Sequence, residues 1–314
     1  MNPGEPRVWA VVLGWDHVED TLECLESLRR SEGVAVRLLY VDNGSKPETA
    51  ARVLDECPDT LVIRHPRNVG VSRGFNGGLA FALQRDAEFV FMANNDTIMT
   101  PQTLGQLLAA ADAEPGAGIL VPKIYYHGAP DVVWSAGARF RRFPPVVVMQ
   151  KTSGPDDGRY DHGTELEFTT LCTVLVRGQA LRDAGLMNPN FIVYCEDYEL
   201  AQRVRDAGYG IRLVPEARTL HKVERVTREG SSKPGFWKMY GRSEAIFARL
   251  LPQHRLLTGP LHRLYLQGRC LYEGGRMGLT NFRQGWREGS AMPLRPPARW
   301  DGESVDPVEI VRDL

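Results

Sequence analysis

The sequence contains no run of about 18 apolar residues, so a conventional membrane-spanning helix is not expected. Net charge is almost absent: 38 Lys and Arg face 39 Asp and Glu, which argues against a chain that coats nucleic acid. Met1 to Pro6 lack a basic stretch followed by a long apolar one, so no secretory signal is expected and the chain reads as cytoplasmic. Cysteine is sparse: Cys24, Cys57, Cys172, Cys195 and Cys270 are odd in number, scattered and never in a CxxC pair. That pattern excludes a disulfide framework or a zinc site and leaves buried thiols in a reducing compartment. Two phosphate-binding fingerprints are also missing. No GxGxxG follows the first apolar run and no glycine-rich loop ends in Gly-Lys-Ser/Thr, which disfavours a dehydrogenase or a P-loop NTPase.

What is present is a globular composition, 43% hydrophobic and 25% charged over 314 residues. The first half alternates short apolar runs with helix-like stretches. The runs are Val8–Leu13, Val36–Val41, Leu61–Ile63 and Glu88–Ala93; the helical stretches are His17–Arg30, Pro47–Glu56, Ser72–Gln84 and Pro101–Ala113. Four such repeats predict an α/β fold, a mainly parallel sheet with helices on both faces. Ligands of such sheets gather at the C-terminal ends of strands, where Asp42 and Asp96 both fall. Beyond Ile119–Val121 the texture becomes a hairpin or flap over 124–149, then a Ser-, Gly- and Asp-rich loop over 152–163. An apolar run over 168–176, a helix over Glu196–Asp206 and a last strand over Ile211–Val214 complete this part of the chain.

The C-terminal part is basic. From Arg249 to Arg299 nine Arg face only Glu273 and Glu288, a local net charge of +7. Either this is a helical extension packed on the main domain, or it meets an anionic membrane surface or a polyanionic acceptor. The tail from Asp301 is acidic, contains proline and is expected to be loosely ordered.

Several residues carry chemistry. Asp42, in Val-Asp-Asn-Gly-Ser, can accept hydrogen bonds from a base or ribose, although Asp-Asn-Gly is also an ordinary turn. Between Asn68 and Gly78, glycines including Gly70 let backbone approach a ligand, and Arg73 and Asn76 offer donors. Asn94-Asn95-Asp96 ends a strongly apolar strand, where a carboxylate can hold a hard cation that also grips phosphate. Glu196 and Asp197 open a helix; they serve its N-terminus, or one of them is a general base. His221 is either structural or the missing metal ligand.

The joint order of these pieces resembles the family 2 glycosyltransferases, inverting enzymes with a GT-A fold. Val12-Leu13-Gly14-Trp15-Asp16 and the helix after it look like that family's first strand and helix. Val41–Ser45 matches its nucleotide-binding turn, and Asn94-Asn95-Asp96 stands at its DxD position. Lys123–Tyr126 and Trp134–Gly137 resemble the family's segment after that motif. Glu196–Leu200 with Arg203 matches its ED motif, and Val214–Ala217 with His221 matches its closing strand and metal histidine. The resemblance spans roughly 8–249. It implies a GT-A domain over 1–235, a basic, mostly helical extension over 236–290, and the tail over 291–314.

By the same resemblance, Leu13, Trp15, Asp42, Asn68, Gly70, Arg73, Asn76, Asn95, Asp96 and Arg242 would bind the nucleotide-sugar. Asp96 and His221 would hold Mg²⁺ or Mn²⁺ on the diphosphate, Asp197 would be the base, and Glu196 would support it or the acceptor. Three departures stand out: the metal motif lacks its first acid, Leu171 replaces a usual glycine, and the extension is less hydrophobic than in many relatives. The texture is closest to rhamnosyltransferase-like enzymes of surface polysaccharides, which implies a dTDP-rhamnose donor and a glycan, glycolipid or small-molecule acceptor. A UDP-hexose or hexosamine transferase and a catalytically silent GT-A glycan-binding domain are the alternatives. No pattern bears on oligomeric state.

Overall fold

The computed structural model describes residues 6–222, 234–250, 259–297 and 308–312. Its first half follows the expected alternation: β1 (Val8–Gly14), α1 (Val18–Arg29), β2 (Val36–Asp42), α2 (Pro47–Glu56), β3 (Leu61–Arg64), α3 (Val71–Leu83) and β4 (Phe89–Asn94). β3, β2, β1 and β4 lie side by side and parallel. β1 is apolar at nearly every position because both its faces are covered. Trp9, Val11 and Leu13 enter a core shared with Phe75 and Leu79 of α3. Val8, Ala10 and Val12 enter the opposite core, with Leu25 of α1 and Val53 of α2.

Beyond β4 the sheet becomes mixed. After β5 (Thr97–Met99) and α4 (Thr103–Ala113) come β6 (Ala117–Tyr126) and β7 (Ala129–Ser135), then a two-stranded hairpin, β8 (Ala138–Arg142) and β9 (Pro145–Met149). β10 (Thr173–Arg177) inserts antiparallel between β4 and β6. The short α5 (Gly178–Ala184) and α6 (Glu196–Asp206) then join the α3 face, with Leu181, Leu200 and Val204 in its core.

Two features differ from the sequence reading. The closing strand β11 runs Gly210–His221, well past Val214. Pro215 cannot donate to a ladder, and a register shift between Val214 and Arg218 absorbs it, so the strand resumes and His221 lies on it. The tail is not loose throughout: β12 (Glu309–Arg312) pairs antiparallel with β3 at the sheet edge.

The basic extension is a packed helical unit, as the first of its two readings expected. α7 (Pro234–Leu250) sends Ile246 and Phe247 into the main core. α8 (Pro260–Ala291) breaks at Gly275, whose φ of 64° side chains rarely adopt, and its halves fold back on each other. Gln267 accepts from Arg283 Nε at 3.1 Å across that fold. Gly285 lets α8 cross α7 at backbone contact; a Cβ there would lie 1.9 Å from the Lys238 carbonyl oxygen. Trp237, Leu266, Cys270 and Phe282 form a small core of their own.

Candidate active site

Register brings the first pair of site residues together. β5 pairs antiparallel with the end of β11, Thr97 opposite His221, and the Lys222 amide donates to the Asp96 carbonyl at 2.9 Å. Asp96 Oδ2 thus lies 3.2 Å from His221 Nε2, although 125 residues separate them. Trp134 packs edge-on against the His221 ring, centroids 4.4 Å apart. Burial works against the Asp96 anion, but its contacts with His221 and the nearby Lys222 outweigh it and hold the carboxyl below its ordinary value.

The pair fits a hard divalent cation. Asp96 Oδ1 is buried without a hydrogen-bond partner, as is His221 Nδ1. A carboxylate and an imidazole are acceptable ligands, but two do not complete a shell. Among the described residues no group of three His, Cys, Asp or Glu side chains could hold a metal. Phosphate oxygens and water would have to supply the remaining positions.

The second cluster forms at the start of α6. Tyr194 and Cys195 both adopt left-handed backbone, φ 70° and 65°, so the chain turns sharply before Glu196 and Asp197 enter the first helical turn. The turn is tied down from outside: Ser243 of α7 donates to the Val193 carbonyl at 2.7 Å. Arg203 bonds both carboxylate oxygens of Glu199, at 3.0 and 2.9 Å, and the carbonyls of Ala184, Gly185 and Leu186. That locks α6 onto the α5 loop.

Glu196 is only 8% exposed, and burial together with the neighbouring Asp197 charge pushes its carboxyl far up. Burial raises Asp197 as well, against the opposing hydrogen bond from the Tyr198 amide at 2.8 Å. Both carboxyls thus resist ionisation, Glu196 the more for its charged neighbour. Asp197 faces a cavity of about 410 Å³ walled by Tyr194, Tyr198 and Tyr240, by the β8–β9 hairpin and by the start of α8. The buried Cys172 thiol is pushed up by burial and then by the charges of both Asp96 and Asp197, so the two clusters flank it.

A third group surrounds the β2 turn. Asp42 is fully buried; its Oδ1 accepts from the Ser45 amide at 2.8 Å and its Oδ2 faces Arg64 Nε at 3.3 Å. Asn43 holds Asn68 and Gly70 through 3.3 and 3.2 Å bonds. Nearby, Trp15 is exposed, Arg73 is half-buried, and Asn95 reaches Thr21 Oγ1 at 3.0 Å while its amide bonds the Leu13 carbonyl.

Three of the expected nucleotide contacts are engaged elsewhere. Both ends of the Asn76 amide clasp the Met187 backbone at 2.8 Å. The Leu13 side chain is in the core. Arg242 lies between α7 and α8, its Nη2 3.0 Å from Met292 Sδ, and burial lowers its proton affinity.

Sequence reasoning also passed over residues of the cavity. His262 of α8 joins the Pro145 carbonyl through Nδ1 at 2.6 Å and Glu244 through Nε2 at 3.2 Å, tying hairpin, α7 and α8 at the cavity wall. Both are buried polar residues, a signal visible in the sequence only as isolated letters.

A sheet of this order, with an acid–histidine pair at its strand ends and an acidic helix start beside a cavity, has the GT-A fold. Two solved structures share the fold. GalNAc-T7 with UDP, GalNAc and Mn²⁺ superposes with a TM-score of 0.57 at 16% identity, covering 94% of this chain and 60% of that one. The mannosyltransferase PcManGT from Pyrobaculum calidifontis, with GDP-Man and Mn²⁺, gives 0.53 at 13% identity, covering 93% and 77%.

Residues 18–171 match the family described as glycosyl transferase family 2. The match spans just under half of the chain, which is similar to family 2 glycosyltransferases and, among them, to rhamnosyltransferases. An N-acetylglucosaminyl-diphospho-decaprenol L-rhamnosyltransferase of Mycobacterium tuberculosis is 27% identical over 219 residues, 63% of this chain and 70% of that protein. The succinoglycan biosynthesis protein ExoO of Rhizobium meliloti is 30% identical over 156 residues, 48% and 42% of the two chains. Among the described residues no helix is long and apolar enough to cross a membrane.

Proposed function

We propose that this chain transfers a sugar, L-rhamnose from a dTDP donor in the favoured case, to a hydroxyl of a glycan or glycolipid, with inversion. The observation that carries the reading is Asp197: a part-buried carboxylate with raised proton affinity, facing a cavity large enough for a sugar. The name of the mycobacterial relative supports a rhamnosyl donor and a lipid-diphosphate-linked sugar as acceptor.

In this mechanism Asp197 accepts the acceptor's proton as the oxygen attacks the anomeric carbon from the face opposite the leaving diphosphate. Glu196, whose carboxyl burial and the Asp197 charge push up, supports the base or the acceptor. A divalent cation, Mg²⁺ or Mn²⁺, held by Asp96 and His221 would offset charge on the leaving diphosphate. The Asp42 turn and the Asn68–Gly70 loop border the nucleotide side, and the locked α6 start keeps base and donor in line. The five free buried thiols suit a reducing, cytoplasmic setting, and the basic 249–299 segment would meet a membrane at its inner face.

The test is a thermal-shift panel of dTDP, UDP, GDP and CDP, with and without Mn²⁺, because ligands of the folded state raise its melting point. A Mn²⁺-dependent shift largest with dTDP is expected. A UDP-selective shift would move the donor to a hexose or hexosamine, and no shift with any nucleotide would leave a silent glycan-binding domain.

A further inference from the structure

The first half of α8 is apolar on two sides. Its inner side buries His262, Leu266 and Cys270. Its outer side carries Leu261, Leu264 and Leu271 at 56%, 67% and 48% exposure, spaced so that they share one helical face. A helix packed on one side only is expected to be polar on the other. Beside it, Phe143 at the tip of the β8–β9 hairpin is 78% exposed. The two elements share one end of the molecule, joined by the His262–Pro145 bond and by Arg141 Nη2 to Tyr265 Oη at 3.2 Å.

Charge selects the occupant. Glu273 pairs with Arg269 at 2.8 Å and Glu288 with Lys238 at 2.9 Å, which neutralises both acids of the 249–299 segment. Arg142, Arg263, Arg276 and Arg287 are exposed, and among the described residues none has a carboxylate within ion-pair distance. Exposed apolar side chains on elements that also carry exposed arginines, with Arg263 lying over the Trp286 ring, match an anionic lipid surface: hydrocarbon takes the former and headgroup phosphates take the latter.

We propose that the β8–β9 hairpin tip and the outer face of α8 dock on an anionic bilayer. Both elements also wall the cavity that Asp197 faces, with His262 and Tyr265 on one and Val146 to Met149 on the other. A docked molecule therefore opens its acceptor cavity beside the headgroup plane, where a lipid-anchored acceptor would present its sugar. This last step rests on the proposed transferase activity; the docking itself does not.

The experiment is co-sedimentation of the full chain with vesicles of phosphatidylcholine alone or mixed equally with phosphatidylglycerol. Binding to the mixed vesicles only, weakened by salt, is expected. The double variant Phe143→Ser/Leu264→Ser should lose at least about tenfold in partitioning, and Arg142→Glu/Arg263→Glu at least as much, since apolar burial and charge both contribute. Arg52→Glu, on exposed α2, should bind like the wild type. These side chains are exposed, so the variants should keep wild-type melting points and nucleotide shifts. Absence of vesicle binding at low salt, or binding that both double variants retain, would overturn the proposal. So would a concentration-dependent dimer that these variants dissolve, which would assign the face to a second copy. Vesicle binding without any nucleotide shift would sink the transferase reading and leave the docking surface standing.

Discussion

Replacing Asp197 by Asn should move activity and stability in opposite directions. The carboxyl of an unfolded aspartate titrates near pH 4, whereas burial raises Asp197 in the folded protein. Between those values the folded state retains a proton that the unfolded chain has lost. Stability therefore falls as pH climbs through that window, and the full penalty is in place above the folded value. Each pH unit by which titration is raised costs about 1.4 kcal/mol. Asparagine keeps the shape, including an acceptor for the Tyr198 amide, and cannot ionise. The variant and the wild type should thus melt together near pH 4, and the variant should melt higher by about pH 8. Glu196 should also ionise more easily, because the charge that helps raise it is gone.

Transfer should do the reverse, falling by about 10²- to 10⁴-fold. In the wild type the rate should show an acidic limb above the ordinary carboxylate range, dropping about tenfold per pH unit below it. Initial rates of nucleotide release and thermal unfolding, both from about pH 5 to about pH 9, give the two readouts on one preparation. An Asn variant that retains more than about a tenth of the rate would remove Asp197 from the base role. A variant no more stable than the wild type at the alkaline end would refute the burial argument itself.

Other perturbations test separate parts of the structure. His221→Ala removes one of the two side chains proposed to hold the cation, so the Mn²⁺ dependence of nucleotide binding should weaken at least about tenfold by titration calorimetry. Asn76→Leu breaks both bonds to Met187 and leaves a buried amide and carbonyl unpaired, costing about 2–4 kcal/mol in denaturant unfolding. Its nucleotide affinity should stay unchanged; a loss would return Asn76 to the donor site. Gly285→Leu places a Cβ inside the Lys238 carbonyl and should cost at least about 2 kcal/mol, read as a lower melting temperature.

The parallel half was readable because each strand is buried on both faces and each helix shows one apolar stripe, patterns that are local in sequence. The ED pair and the Asn-Asn-Asp turn were readable because they sit beside such elements. His221 was found as a candidate, but its place on a strand was hidden: Pro215 interrupts the apolar run, and pairing with β6 carries the ladder past it. The Asn76 clasp depends on a partner 111 residues away, and nothing in its neighbourhood reveals that. Arg242 sits between α7 and α8 with Nη2 beside Met292, a placement that a basic residue in the sequence does not announce. The fold-back of α8 turns on one backbone angle at Gly275, in a helix already rich in glycine. The cavity wall drew on the hairpin, α7 and α8 together, and only tertiary packing assembles those.

The pairing of β12 with β3 bears on how copies of this chain can associate. Open sheet edges are templates on which another molecule can extend the ladder, and that is a route to fibres and swapped dimers. Here the β3 edge is taken by residues 309–312 of the same chain, and Arg312 clamps it by bonding the Leu54 and Cys57 carbonyls. At the far end the sheet finishes on β5, three residues long and too short to seed a partner strand. The main path through the sheet therefore closes on strands of four and three residues, which leave a second copy little ladder to extend.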